Sequence, residues 1–174
     1  WISTSYLVAE IIMIPLTAWL VQLLSARRLA VWVSTGFLIS SLLCSMAWSL
    51  ESMIVFRAMQ GFTGGELIPL AFSLTLIKLP EHHRAKGMAM FAMTATFAPS
   101  IGPTLGGWLT ENWGWEYIFY INVPVGIAAV AVTWGIFRHR ESERRKLPID
   151  SMGLALLVIW VAAMQVMLDI GKEH

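Results

Sequence analysis

Six apolar runs dominate this sequence, each long enough or nearly long enough to cross a lipid bilayer. A helix needs about 20 residues to span the hydrocarbon core. Residues 1–24 carry one charge, Glu10, and residues 29–50 carry none. Residues 52–77 carry Arg57 and Glu66, while 87–110, 117–137 and the shorter run 151–168 carry none. Buried helices of a soluble protein are the competing reading. That reading fails on composition, because only 13% of residues are charged and 57% are hydrophobic, against about 25% charged in a soluble domain. Too little polar surface remains to cover a core in water. Inside lipid each backbone amide must be bonded within its own segment, so such runs form helices. The expected fold class is an all-α, polytopic transmembrane helical bundle.

The connections between runs alternate in charge. Ten of the twelve Lys and Arg residues fall in the first, third and fifth connections, at 25–28, 78–86 and 138–150. The second and fourth connections hold Glu51, and Glu111 with Glu116. Positive charge is retained on the cytoplasmic side, so those three basic connections are expected there. Trp48, Trp113, Trp115, Tyr117 and Tyr120 then gather at the outer boundary and Trp32 and Trp134 near the inner one, where amphipathic rings settle.

Several classes of chemistry find no support. A net charge of +1 gives no field for nucleic acid. The single cysteine, Cys44, excludes an intrachain disulfide and reads as a packed apolar side chain. The adjacent His82 and His83 read as solvated loop residues, with no Cys or carboxylate pattern to complete a metal site. No nucleophile triad, nucleotide loop or paired-carboxylate pattern is visible, so no enzyme and no cofactor are expected. The first run lacks a basic leader and cleavage site, so it is not a signal peptide. Both ends read as truncations.

The intramembrane charges carry the functional reading. Arginine inside a span is costly unless it faces protein or water. Gln60, Gly61 and Gly64 fall near the face of Arg57 at helical spacing, a narrow polar face suited to a cavity or to another helix. The plainer alternative is that Arg57 snorkels to the nearby outer boundary. Glu66 lies about 180° around the helix from Arg57, so it must meet another helix, water or substrate. Glu10 lies roughly 15 Å along its run, near mid-bilayer. A carboxyl held out of water is disfavoured as an anion, which suits it to loading and releasing a proton. Both glutamates have the alternative of serving as hydrogen-bonded packing residues. In 87–110, Pro99 and Pro103 remove amide donors, and Gly102, Gly106 and Gly107 include a small-xxx-small face for close helix approach.

These residues resemble the major facilitator superfamily. Arg57-Ala-Met-Gln60-Gly61 is similar to its fourth-helix motif. Ser100-Ile-Gly102-Pro103-Thr-Leu-Gly106-Gly107 is similar to the fifth-helix motif typical of its antiporters. The stretch Trp113-Gly-Trp115-Glu-Tyr-Ile-Phe119-Tyr-Ile-Asn122-Val-Pro124-Val-Gly126 and the ending Leu168-Asp169-Ile-Gly171-Lys172-Glu173 resemble the fourteen-helix drug:proton antiporter branch, of EmrB and QacA type. The opening, from Trp1 through Tyr6, resembles that branch's second helix. The resemblance covers nearly the whole chain.

The resemblance implies helices two to six of the amino-terminal bundle over 1–137, a cytoplasmic linker over 138–150, one additional helix over 151–168 and a periplasmic tail over 169–174. It implies a proton-coupled exporter of lipophilic or amphipathic compounds in a bacterial cytoplasmic membrane, working by alternating access. Arg57, Glu10 and Glu66 are then the candidates for proton coupling. Gln60, Gly61, Gly64 and Glu66 are the candidates for the substrate cavity, and Pro99, Gly102, Pro103, Gly106 and Gly107 form the antiporter motif. The expected partners are small lipophilic substrates, protons and membrane lipids, and the EmrB type also admits a periplasmic adaptor and an outer-membrane channel. A narrower substrate, such as a fatty acid, bile salt or siderophore, is the alternative. A membrane scaffold or sensor is a further one, although it would have no use for the buried charges. One departure stands out. The branch's loop between helices two and three reads Gly-x-Leu-Ala-Asp-Arg-x-Gly-Arg-Arg, and here Ala18 and Ser25 replace the glycines and Gln22 replaces the acid.

Overall fold

The computed structural model describes residues 1–137 and 151–171. The expected linker over 138–150 and the end of the tail, 172–174, lie outside the described residues. Among those described, every regular element is a helix: α1 (Ile2–Leu24), α2 (Ala26–Ser45), α3 (Leu50–Gly64), α4 (Leu67–Lys78), α5 (Glu81–Asn112), α6 (Tyr117–Tyr120), α7 (Asn122–Phe137) and α8 (Ser151–Ile170). Three stretches are long and apolar enough to cross a membrane by themselves, Ile2–Leu24, Ala26–Ser45 and Tyr117–Gly135, and Met152–Met167 is a shorter apolar helix.

Two of the six expected spans are interrupted by a gap in the hydrogen-bond ladder, with the backbone still right-handed helical at the interruption. The run over 52–77 is interrupted at Gly65 and Glu66, between α3 and α4. Pro69 has no amide with which to reach the carbonyl four residues back, at Gly65, and it is tolerated only because it falls in the first turn of α4. The glycine pair Gly64–Gly65 lowers helix propensity at the same point. Pro124 stands in the same relation to Tyr120, where α6 gives way to α7 across Ile121, whose backbone stays right-handed helical. The start of α3 is well determined. Ser49 and Ser52 form a reciprocal capping box, with Ser52 N donating to Ser49 Oγ at 3.1 Å and Ser49 N donating to Ser52 Oγ at 3.0 Å.

The basic connections are shorter than the charge pattern implied. Only Ser25 separates α1 from α2, so Arg27 and Arg28 lie in the first turn of α2. His82, His83, Arg84 and Lys86, expected in a loop, occupy the first turns of α5. Pro80 ends the extended connection and starts that helix. Ser25 has φ 70° and ψ 144°, a region that favours glycine. It is the position where the resembling loop carries its second glycine.

The packed centre of the chain is α1, α2, α3 and α4. Ala26, Leu29, Ala30, Val33 and Leu70 form its apolar core. Gly61 and Gly65 bring α3 onto the main chain of α1. A methyl group on Gly65 would lie 2.5 Å from the carbonyl oxygen of Glu10, and one on Gly61 would collide with the carbonyl oxygen of Tyr6. α7 lies along α2, and α8 along α1. α5 is about 48 Å long and runs unbroken through Pro99 and Pro103. Of its residues only Leu109 is buried, and its contacts are with α4, partly through Phe72 and Phe91, and with α6.

Candidate functional site

The site grows from α3. The capped start at Ser49 sets the helix register, which carries Arg57 and Gln60 on the face turned toward α1 and α2. Arg57 Nη1 donates to Gln60 Oε1 at 2.8 Å. Gln60 Nε2 donates in turn to Ser41 Oγ on α2 at 2.7 Å. The Cys44 thiol, one turn further along α2, donates to Gln60 Oε1 at 3.8 Å. Ser41 and Cys44 are fully enclosed, and Gln60 is 2% exposed. An amide buried this completely must have its polar atoms bonded, and here both ends of it are.

Aromatic rings flank the guanidinium. Arg57 Cζ lies 4.6 Å from the ring centroid of Tyr6 on α1 and 5.7 Å from that of Phe119 on α6. A planar, weakly hydrated guanidinium suits such faces better than an ammonium would. Arg57 Nε is buried with no hydrogen-bond partner among the described residues. Arg57 is half-buried overall, and groups from three helices surround its guanidinium: one amide and two rings.

The two glutamates differ. Glu10 stands one helical turn after Tyr6 on α1, and the Arg57 charge reaches Tyr6, Glu10 and Cys44 electrostatically. Glu66 does not share this field. It occupies the break between α3 and α4, is 3% exposed, and leaves Oε2 without a hydrogen-bond partner among the described residues. The two carboxylates thus differ in their relation to Arg57, although Gly65, next to Glu66, touches the main chain of Glu10.

Gly61 and Gly64 are buried against α1, with a methyl on Gly64 falling 3.0 Å from the Tyr6 hydroxyl. A cavity of about 930 Å³ lies on the opposite face of α1 and α3, where Val8, Ile12, Ala58 and Phe62 are among its lining residues. None of Gln60, Gly61, Gly64 or Glu66 lines it. In α5, Gly102, Gly106 and Gly107 have nothing within 4 Å of an added methyl. The close helix neighbour expected for them is not among the described residues.

Tyr6, Ser41 and Phe119 were not singled out as site residues in the sequence, and Cys44 was read only as a packed side chain. Tyr6 and Glu10 are spaced i, i+4, and Ser41 and Cys44 i, i+3, so each pair shares a helix face. That spacing was a readable signal. Which faces meet was not.

A sequence profile of the Major Facilitator Superfamily matches residues 1–168. The chain belongs to the Major Facilitator Superfamily. Its membership makes the chain part of a multi-pass, helical membrane bundle. Curated relatives agree. The chain is 45% identical over its whole length to the multidrug export protein EmrB of Haemophilus influenzae. It is 43% identical over 99% of its length to the fatty acid resistance protein FarB of Neisseria gonorrhoeae, and 38% identical over its whole length to the colistin resistance protein EmrB of Acinetobacter baumannii. In each case it covers 34% of the relative, so the chain spans about a third of the length of these superfamily members.

Proposed function

We propose that this chain is part of a secondary active transporter that exports lipophilic or amphipathic compounds in exchange for protons. The observation that carries the reading is the half-buried, intramembrane Arg57, bonded to Gln60 at 2.8 Å and within electrostatic reach of Glu10. A guanidinium stays charged at every physiological pH. Within electrostatic reach of a half-buried carboxyl, it attracts the anionic form, so any motion that separates the two favours proton uptake. Alternating access supplies such a motion, since one bundle rocks against the other. Arg57 with Glu10 is the coupling pair in this reading. Glu66 is the second candidate. Residues 1–137 correspond to helices two to six of the amino-terminal bundle, and 151–168 to an additional helix.

The names of two relatives, a multidrug export protein and a colistin resistance protein, support a broad lipophilic range. FarB, at 43% identity, favours a second reading in which the substrate is a fatty acid. A scaffold or sensor would gain nothing from Arg57, Glu10 and Glu66 at their cost of burial. The proposed location is a bacterial cytoplasmic membrane. A periplasmic adaptor and an outer-membrane channel are the proposed partners.

The test is growth of a drug-sensitive host carrying the full-length gene against ethidium, nalidixic acid, deoxycholate and palmitate. Resistance to several of these supports broad export, and resistance to palmitate alone supports the fatty acid reading. No resistance to any, with the protein in the membrane, contradicts export.

A further inference from the structure

We propose that Ser41, on α2, is a positioning residue for Arg57 and acts through the Gln60 side chain. The inference rests on the reading of Arg57 as the coupling cation. A guanidinium only donates hydrogen bonds, so the Gln60 carbonyl must face Arg57, as it does at 2.8 Å. The Gln60 amino group is then directed away, and at 2% exposure it has no water to bond. It needs an acceptor inside the bundle, and Ser41 Oγ is that acceptor at 2.7 Å. The Cys44 thiol adds a weaker donor to the same carbonyl at 3.8 Å. Ser41 therefore holds the amino end of an amide whose orientation Arg57 sets, and the held amide fixes one end of the guanidinium between the rings of Tyr6 and Phe119.

The consequence is a link between helices. Arg57 belongs to α3 and Glu10 to α1, yet the acceptor that holds the Gln60 amide is on α2. A shift of α2 along α3 would free the Gln60 amide to rotate, and a rotated amide would present a donor to a donor. The guanidinium would then lose its anchor and move relative to Glu10. The titratable groups in its field are Tyr6 and Glu10 from α1 and Cys44 from α2. α6 contributes Phe119, which does not titrate.

The experiment uses the full-length transporter in proteoliposomes, with the panel compound that gives the largest resistance. Ser41→Ala removes one oxygen and adds no bulk. It is expected to slow substrate-driven proton exchange about tenfold, the equivalent of one lost buried hydrogen bond to a charge-linked group. It should also move the pH midpoint of exchange in the same direction as Arg57→Lys does. In the Arg57→Lys background the same substitution should have no further effect, because its target is already gone. If the alanine variant does not insert, Ser41→Cys has nearly the same volume and a weak acceptor, and it should behave as alanine was expected to. A wild-type rate and midpoint in Ser41→Ala or Ser41→Cys overturn the proposal. So does an equal loss with and without Arg57→Lys, which would mean that Ser41 acts on packing alone. Unaltered exchange in Arg57→Gln, which removes the charge, would remove the coupling role of Arg57 itself, and the proposal with it.

Discussion

Gly65 sits directly on the main chain of Glu10, so closely that a methyl group in its place would lie 2.8 Å from the Glu10 Cα and 2.5 Å from its carbonyl oxygen. The atoms in the way are backbone atoms inside α1, and they cannot turn aside. The glycine at the end of α3 is thus what allows the helix bearing Arg57 to approach the helix bearing Glu10.

Gly65→Ala is therefore expected to destabilise the full-length protein by about 1–3 kcal/mol, the usual cost of overpacking a close contact. Gly36→Ala is the comparison. Its methyl would meet the Thr63 methyl group at 2.7 Å, and a side chain can give way. Thermal melting of the purified transporter should rank Gly65→Ala clearly below Gly36→Ala. The reverse order would mean that α1 and α3 are not in this contact.

Ser25 makes a prediction of opposite sign. A residue with a side chain at φ 70° carries strain of order 1–3 kcal/mol, and glycine adopts that region freely at an entropic cost of about 0.5–1 kcal/mol. Ser25→Gly should then raise stability by about 1 kcal/mol, seen as a higher melting temperature. A lower melting temperature would show that the Ser25 side chain repays the strain.

The sequence disclosed the helical spans and their approximate ends because lipid imposes a length and forbids unpaired amides. It also disclosed Arg57, Glu10 and Glu66, because a charge inside such a span is conspicuous. It did not disclose the break at Gly65 and Glu66, since the apolar pattern continues through it and only the pairing of Pro69 with the Gly65 carbonyl reveals it. Tyr6, Ser41 and Phe119 were invisible for another reason. An aromatic or small polar residue is ordinary in a membrane helix, and its meaning depends on which helix faces it.

The connection at Arg27 and the turn at Arg84 should be cytoplasmic, because most of the positive charge lies in the odd-numbered connections. Single cysteines placed at 27 and 84 should resist a membrane-impermeant maleimide in intact cells and react in inverted vesicles. Strong labelling at 84 from outside would reverse the orientation.

The open glycine face of α5 is expected to receive a neighbouring helix in the full-length protein. Gly106→Leu should leave membrane insertion intact and abolish export, since leucine would hold that neighbour away. Undiminished resistance in a host carrying Gly106→Leu would show that this face meets only lipid.

Proton exchange in Glu10 variants tests the account most directly. Glu10 shares the Arg57 field and Glu66 does not, so Glu10 is the carboxyl expected to carry the coupled proton. In proteoliposomes of the full-length protein, Glu10→Gln should stop substrate-induced proton movement while substrate binding survives, and Glu66→Gln should retain coupling. Persistent coupling in Glu10→Gln with loss in Glu66→Gln would contradict the pairing with Arg57 and move the proton to the helix break. Persistent coupling in both would place the proton site outside this chain altogether.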